Sequence, residues 1–297
     1  MRVGLVGCGR WGALILRDLI ALGCSVDVVA RSAESVKRAR DGGARSIVPT
    51  VDDLAEVEGI IVATTTSTHA EVVADALKLG VPVFVEKPLT QHPDSAAALA
   101  EQAPDRLFVM DKWRYHPGVE AMATITRSGE FGALRGLHTR RLGWGQGHDD
   151  VDGIWVLLPH DLAIVLEIAG SLPHVVAASG IRGTGQNASL TGLLGPEPPS
   201  VVEVSSLSPV RERRVQATFD EAVVLLDGGY ADRLRILRSA ANTDAEEARP
   251  IGGEMPLLAE LRAFIGHLRG GPPPRSSALE GAETVTRIAD LRSLAGL

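Results

Sequence analysis

Three glycines stand in the run Gly7-Cys8-Gly9-Arg10-Trp11-Gly12, and the chemistry their spacing offers is phosphate binding. The first glycine can make a tight turn, the second lets the main chain approach a pyrophosphate, and the third lets a helix pack closely on the preceding strand. The N–H groups at that helix N-terminus then face the phosphates. Context decides whether such a pattern counts. Here the apolar strand Arg2-Val3-Gly4-Leu5-Val6 precedes it, and Leu14, Ile15, Leu16, Leu19, Ile20 and Leu22 follow at helical spacing. Gly7, Gly9, Arg10, Trp11 and Gly12 are therefore candidate contacts to a dinucleotide.

The end of the second strand bears on which dinucleotide. An NAD site usually places a carboxylate there, about twenty residues after the fingerprint, to hold the ribose 2′-hydroxyl. The strand Val26-Asp27-Val28-Val29-Ala30 ends instead in Arg31-Ser32. A guanidinium offers a planar fork of donors to a 2′-phosphate, and the serine hydroxyl adds another. NADP(H) is preferred on this ground and NAD(H) is the alternative; the plain reading of Arg31 is a solvated side chain at a strand end.

The elements that position these residues alternate between strand and helix through the first 110 residues. Helical stretches are expected at 33–41, 69–79 and 95–102, and strands at 46–49, 59–63, 81–85 and 107–110. Thr68 or Ser67 is expected to cap the helix from His69, and Gly80 to stop it. Such alternation implies a doubly wound parallel sheet with a ligand crevice at the strand C-terminal ends. Thr64, Thr65 and His69 fall at that edge and are candidate cofactor contacts.

From about Gly132 the pattern changes. Strands are expected at 134–144, 174–181, 188–194, 201–206, 213–219, 222–226 and 233–237, separated by Gly, Pro and acidic turns. Helices are expected at 159–169, 255–268 and 279–294. The fold class is thus α/β, an N-terminal Rossmann sheet followed by an α+β domain with a mostly antiparallel open sheet. The expected domains are 1–112 and 113–297, with the last helix available to pack back on the first.

Composition narrows the function class. A chain of 297 residues exceeds the usual single core. Its 37 acidic and 30 basic side chains give a formal charge of −7 with no long basic run, which argues against nucleic acid as a partner. Cys8 and Cys24 lack metal-ligand spacing, so no metal is expected and both read as reduced packing residues. With a strand starting at residue 2 and no apolar run of membrane-spanning length, a cytoplasmic location without a membrane partner is expected.

Strand 81–85 runs into Glu86-Lys87-Pro88, after Gly80-Val81-Pro82 and before Leu89. Together with the glycine run, Trp113-Arg114-Tyr115-His116-Pro117, Pro159-His160-Asp161-Leu162 and the stretch from Pro256 to Phe264, this resembles the Gfo/Idh/MocA oxidoreductases nearly end to end. The resemblance implies an NAD(P)-dependent enzyme acting mainly on sugars and cyclitols, with Lys87 at the catalytic centre and a cis peptide at Pro88. Glu86, Lys87 and Pro88 would border the cofactor. An ammonium there can steady a substrate oxygen or relay its proton. His160 matches the histidine of the family's second-domain motif, and an imidazole exchanges protons near neutral pH.

The family usually carries an aspartate four residues before that histidine; here the position is Val156. Three explanations stand open: Asp161 or one of Asp149, Asp150 and Asp152 orients the ring, lysine and histidine suffice, or the chain binds nucleotide without turnover. His160 capping its helix, and Asp161 favoured by the helix dipole, are the plain alternatives. Trp113, Arg114, Tyr115 and Asp161 are candidate substrate contacts, with domain-interface packing the alternative for the first three. Arg140, Arg141, Arg211, Arg213 and Arg214 suit either an anionic substrate or a solvated sheet face.

The function expected is hydride transfer between a nicotinamide, preferably NADP(H), and a carbinol or carbonyl carbon of a sugar-like or cyclitol-like molecule. A non-catalytic NADP(H)-binding sensor, or a reductase of a non-sugar carbonyl or imine, is the alternative. The open sheet face, which in this family commonly pairs with a second subunit, leads to a homodimer or homotetramer.

Overall fold

The computed structural model describes residues 1–54, 56–145, 150–240 and 243–297. The first stretch of the chain forms β1 (Arg2–Val6), α1 (Arg10–Ala21), β2 (Ser25–Val29), α2 (Ala33–Asp41), β3 (Ser46–Val48), β4 (Gly59–Val62), α3 (His69–Lys78), β5 (Val83–Glu86), α4 (Pro93–Gln102) and β6 (Leu107–Met110). Next come α5 (Pro117–Ser128), β7 (Leu134–Trp144), α6 (Gly153–Ala169), β8 (His174–Arg182), β9 (Ala188–Gly195), β10 (Ser200–Ser205) and β11 (Leu207–Phe219). The chain closes with β12 (Val223–Asp227), β13 (Arg233–Ala240), β14 (Thr243–Pro250), α7 (Pro256–Leu268) and α8 (Ala278–Leu294). Two compact units result: Met1–Lys112 with Met255–Val285, and Trp113–Glu254 with Thr286–Leu297.

The first unit is a six-stranded sheet of order β3-β2-β1-β4-β5-β6, parallel at every pair. Its strands are covered on both faces, which is why they read as unbroken apolar runs. Strand order reverses between β1 and β4, and the crevice beyond their C-terminal ends is where an open α/β sheet receives a ligand. Although α7 follows the second sheet in sequence, it folds into this unit. Phe264 stacks on Phe84 of β5 with ring centroids 4.9 Å apart, and a Cβ on Gly59 would come within 2.7 Å of Leu268.

One local expectation differs. A single 3-10 turn, Thr66–Thr68, precedes α3, and Thr68 makes no side-chain cap. Its hydroxyl donates instead to the Thr65 carbonyl and the Thr64 hydroxyl, both at 2.9 Å. Gly80, with φ +76, follows the end of α3 as expected.

The second unit is an eight-stranded sheet of order β14-β13-β12-β11-β7-β10-β9-β8. Its pairs are antiparallel except for β10 against β7. Helix α6 lies on one face of β7, β9 and β10, with α5 packed beside it.

Three differences from the sequence reading have physical causes. Helix α6 begins at Gly153, not Pro159, because the Asp152 side chain accepts from the N–H groups of Ile154 and Trp155 at 3.1 and 3.4 Å. Burial of Ile154, Trp155 and Leu158 carries the helix through the internal Pro159. Helix α5 escapes a cap search because His116 caps it, its Nδ1 accepting from Gly118 N at 3.1 Å. Strand β14 is polar and charged, as suits a sheet edge that must resist further pairing.

Candidate active site

The glycine turn satisfies each steric demand read from its spacing. Gly7 has φ +95, and a Cβ there would meet the Ala63 carbonyl oxygen at 2.6 Å. A Cβ on Gly12 would meet the Gly7 carbonyl oxygen at 2.2 Å, so helix and strand touch there. A Cβ on Gly9 would meet nothing within 4 Å. That open space lies at the start of α1, whose N-cap has no side-chain hydrogen bond and whose first turn has no acidic residue. Main-chain donors with room before them and no competing carboxylate fit a pyrophosphate. Arg10 is exposed beside this opening.

Beyond β5 the chain turns through Glu86-Lys87-Pro88, and the Lys87–Pro88 peptide is cis, as the resemblance implies. The Trp11 indole N–H donates to the Glu86 carboxylate, and the Lys112 ammonium lies 4.2 Å above the Trp11 ring. His69 is buried; Nδ1 lies 2.8 Å from the Pro88 carbonyl oxygen and Nε2 3.3 Å from that of Thr64. The ring ties the lysine turn to the end of β4, and Thr64 and Thr65 sit in the same turn. Burial pushes the Glu86 carboxyl up in pKa, while Lys87, the Trp11 N–H and Lys112 pull it down.

At the end of β2, Arg31 is exposed; its Nε donates to the Pro49 carbonyl at 3.4 Å. Ser32 caps α2, accepting from Ser35 N at 3.1 Å, so its own O–H is still a donor. Asp27, the carboxylate within β2, is turned away from this end: it accepts from Arg45 at 2.8 and 3.0 Å and from Arg2 at 2.6 Å.

In the second unit, His160 sits half-buried in the body of α6, which removes the reading in which it caps the helix. Asp161 likewise lies far from the first turn, so the helix dipole does not account for it. Its carboxylate, 1% exposed, accepts from Arg141 Nε at 2.5 Å. Asp152 caps α6 and pairs with Arg292 at 2.6 Å. Of the proposed carboxylates for His160, Asp161 and Asp152 thus have other partners, Asp150 stands half-buried just before α6, and Asp149 lies outside the described residues.

Trp113 stacks on His116 with centroids 4.9 Å apart, and Arg141 lies 4.5 Å from its ring centroid. Arg114 donates to Glu167 of α6 at 2.9 Å and is buried with it, and Tyr115 is buried as well. The structure therefore groups Gly7 to Gly12, Arg31, Ser32, Thr64, Thr65, His69 and Glu86 to Pro88 in the first unit. Trp113, Arg114, Tyr115, His160 and Asp161 belong to the second.

One feature escapes the motif search, and another gathers arginines that the sequence offered only singly. Glu260 of α7 is 1% exposed, and neither carboxyl oxygen has a hydrogen-bond partner among the described residues. A charged residue at a core position of an amphipathic helix is the signal that marks it. A cleft in the second unit is lined by Trp113, Arg141, Asp161, Arg213, Leu226 and Gly228, among others. Its signal is the alternation that puts Arg141 and Arg213 on the inward face.

A doubly wound sheet with a glycine turn built to admit a pyrophosphate, and a lysine set beyond the adjoining strands, defines a dinucleotide-dependent oxidoreductase. Residues 1–109 match the model of the oxidoreductase family with an NAD-binding Rossmann fold, GFO_IDH_MocA. UDP-N-acetylglucosamine 3-dehydrogenase of Acidithiobacillus ferrooxidans is 27% identical, over 98% of this chain and 96% of its own. Its solved structure superposes with a TM-score of 0.85 at 25% identity, covering 99% of this chain and 97% of that one. Myo-inositol dehydrogenase of Streptomyces leeuwenhoekii is 26% identical over 92% of this chain and 90% of its own. Levoglucosan dehydrogenase, solved with NADH and levoglucosan, has a TM-score of 0.85 over 100% of this chain and 97% of that one, and at 13% identity shows the common fold. Together these findings support a Gfo/Idh/MocA-family oxidoreductase, an enzyme of the dehydrogenase class. No helix among the described residues is long and apolar enough to cross a membrane.

Proposed function

We propose that this chain transfers hydride between NADP(H) and a carbinol or carbonyl carbon of a sugar-like substrate. The observation that carries the reading is the open approach at Gly9 within a turn otherwise closed at Gly7 and Gly12, followed on β2 by Arg31-Ser32 where an NAD site would carry a carboxylate. The names of the relatives, acting on a UDP-sugar and on a cyclitol, support a polyhydroxylated substrate. When bound, the nicotinamide supplies the hydride donor or acceptor.

The chain's own groups supply the rest. Main-chain N–H groups at the start of α1 hold the pyrophosphate, and Arg31 with the Ser32 hydroxyl holds the 2′-phosphate. Lys87 stabilises negative charge on the reacting oxygen, and His160 takes or returns its proton. Glu86, braced by Trp11, keeps the residue before Lys87 in place, and His69 fixes Pro88 after it. A screen of sugars, cyclitols and nucleotide sugars with both cofactors, followed by nicotinamide absorbance, tests the reading. Substrate-dependent turnover faster with NADPH or NADP⁺ is expected.

The second reading, a nucleotide-binding sensor, draws on Val156 and on the commitment of Asp161 and Asp152 to Arg141 and Arg292. NADPH binding with no turnover across the screen would establish it. A cytoplasmic site of action accords with Cys8 and Cys24 both being buried and unpaired as a disulfide. Trp144, Val176, Ile181 and Val210 are exposed on strands of the second sheet, and pairing of that face with a second copy gives a dimer or tetramer. A concentration-independent monomer mass in light scattering would reject this assembly.

A further inference from the structure

Arg141 on β7 and Arg213 on β11 are register partners in an antiparallel pair. Their guanidinium groups therefore start from directly opposite positions on one face of the sheet, an arrangement that like charges disfavour. One carboxylate, Asp161, serves both, and it is taken by Arg141. Arg213 spends Nη1 on the carbonyls of Leu142 and Glu212, at 2.5 and 2.8 Å. Its Nε and Nη2 donors make no hydrogen bond to protein among the described residues. The other two arginines at this cleft are neutralised: Arg140 pairs with Glu203 at 2.8 Å and Arg214 with Asp227 at 2.6 Å.

Arg213 is thus the arginine of this cleft that has no ion pair of its own among the described residues, and Asp161, the partner of its neighbour Arg141, follows His160 in α6. Burial and then Arg141 bring the Arg213 pKa down to about 10, which still leaves it charged at neutral pH. The cleft is open to solvent, and the space beside these side chains, about 10 Å³, is room for one water-sized group. A single oxygen fits there with the rest of a substrate outside.

We propose that Arg213, set by Arg141, is a specificity-determining residue that receives one oxyanion oxygen of the substrate, so that the enzyme acts on an acidic sugar derivative rather than a neutral polyol. A carboxylate and a phosphoryl group present the same oxygen, and charge-assisted hydrogen bonds to a guanidinium serve either. The inference rests on the sugar-oxidoreductase reading above and narrows its substrate class.

The test compares wild type, Arg213→Gln and Arg213→Lys on glucuronate, glucose 6-phosphate and UDP-N-acetylglucosamine against glucose and myo-inositol. At least one anionic compound should be the preferred substrate of the wild type, and which one identifies the oxyanion. Arg213→Gln should raise KM for it by roughly 10- to 100-fold with kcat little changed. Neutral substrates should change less than about twofold, NADPH affinity should hold, and Arg213→Lys should recover part of the loss. Equal losses on neutral and anionic substrates, or a wild-type preference for neutral polyols, overturn the proposal. Calorimetric titration of the same three anions into NADP⁺-loaded protein keeps the two readings apart. Arg213-dependent binding without any turnover would sink the oxidoreductase reading and support the anion site; absence of binding and of anionic turnover would sink the site.

Discussion

Glu260 of α7 is buried near the Glu86 carboxylate at the end of β5: burial first, then that like charge, push the Glu260 carboxyl well above the usual range. Lys112 and Lys87 oppose this, and Asp111 adds to it. A folded pKa raised above the unfolded value contributes stability that is complete below about 4.5 and is lost as pH rises toward the folded value. Glu260→Gln removes that loss. Its melting temperature should match wild type near pH 4.5 and exceed it increasingly toward pH 8, at no more than about 1.4 kcal/mol per pH unit. A difference that does not vary with pH would show that Glu260 is ionised throughout.

Asp27 has the opposite sign. Burial raises its pKa, but hydrogen bonds from Arg45, Ser46 and Arg2 outweigh it and bring the value down to about 2 from 3.8. The carboxylate is 1% exposed. Its contribution is therefore present above about pH 4 and lost as pH falls through 2. Asp27→Asn should cost about 2 kcal/mol at pH 7 by denaturant unfolding and much less near pH 2. An equal cost at both pH values would assign the effect to packing.

The first sheet was legible because parallel strands covered on both sides leave unbroken apolar runs, and because Gly7, Gly9 and Gly12 each answer a distinct steric demand. Strand β14 and helix α5 were not. The first is stabilised by cross-strand ion pairs such as Arg235 with Glu246, at 2.7 Å, which read in sequence as a loop. The second is capped by a histidine, which no cap rule ranks highly. The rule that Pro favours a first helical turn misplaces the start of α6, since Asp152 caps seven residues upstream of the proline that only burial of the helix can carry. At the site, glycine and lysine motifs could be read locally. Glu260 and Arg213 matter through partners more than seventy residues away, Arg213 beside Arg141 and Glu260 beside Glu86, and pairing of that kind is invisible before the fold.

The proposed preference for NADP(H) rests on the end of β2. Arg31 is exposed with one long contact to Pro49, so its guanidinium can move to a 2′-phosphate at little cost. Arg31→Asp should weaken NADPH binding by about 2 kcal/mol, roughly 30-fold, while NADH changes within a few fold. Fluorescence titration of both nucleotides measures this. Equal losses for the two would remove Arg31 from the 2′ site.

The proposed chemistry assigns the substrate oxygen to Lys87 and His160. Lys87 follows a carboxylate fixed by the Trp11 indole and precedes a proline whose carbonyl is held by His69, so its backbone is positioned from both sides. His160 has no carboxylate at position 156 to raise its basicity. If both act on the substrate oxygen, Lys87→Ala and His160→Ala should each lower kcat by on the order of a hundredfold or more, with NADPH affinity within a few fold of wild type. The double variant should lose little beyond the worse single one, because members of one proton-handling unit fail together. His160→Ala should show the smaller loss, the burden falling on Lys87 where the family's usual aspartate is a valine. Steady-state kinetics with cofactor binding measured separately decide the matter, and near-normal turnover in Lys87→Ala would remove this lysine from the mechanism and leave the sensor reading ahead.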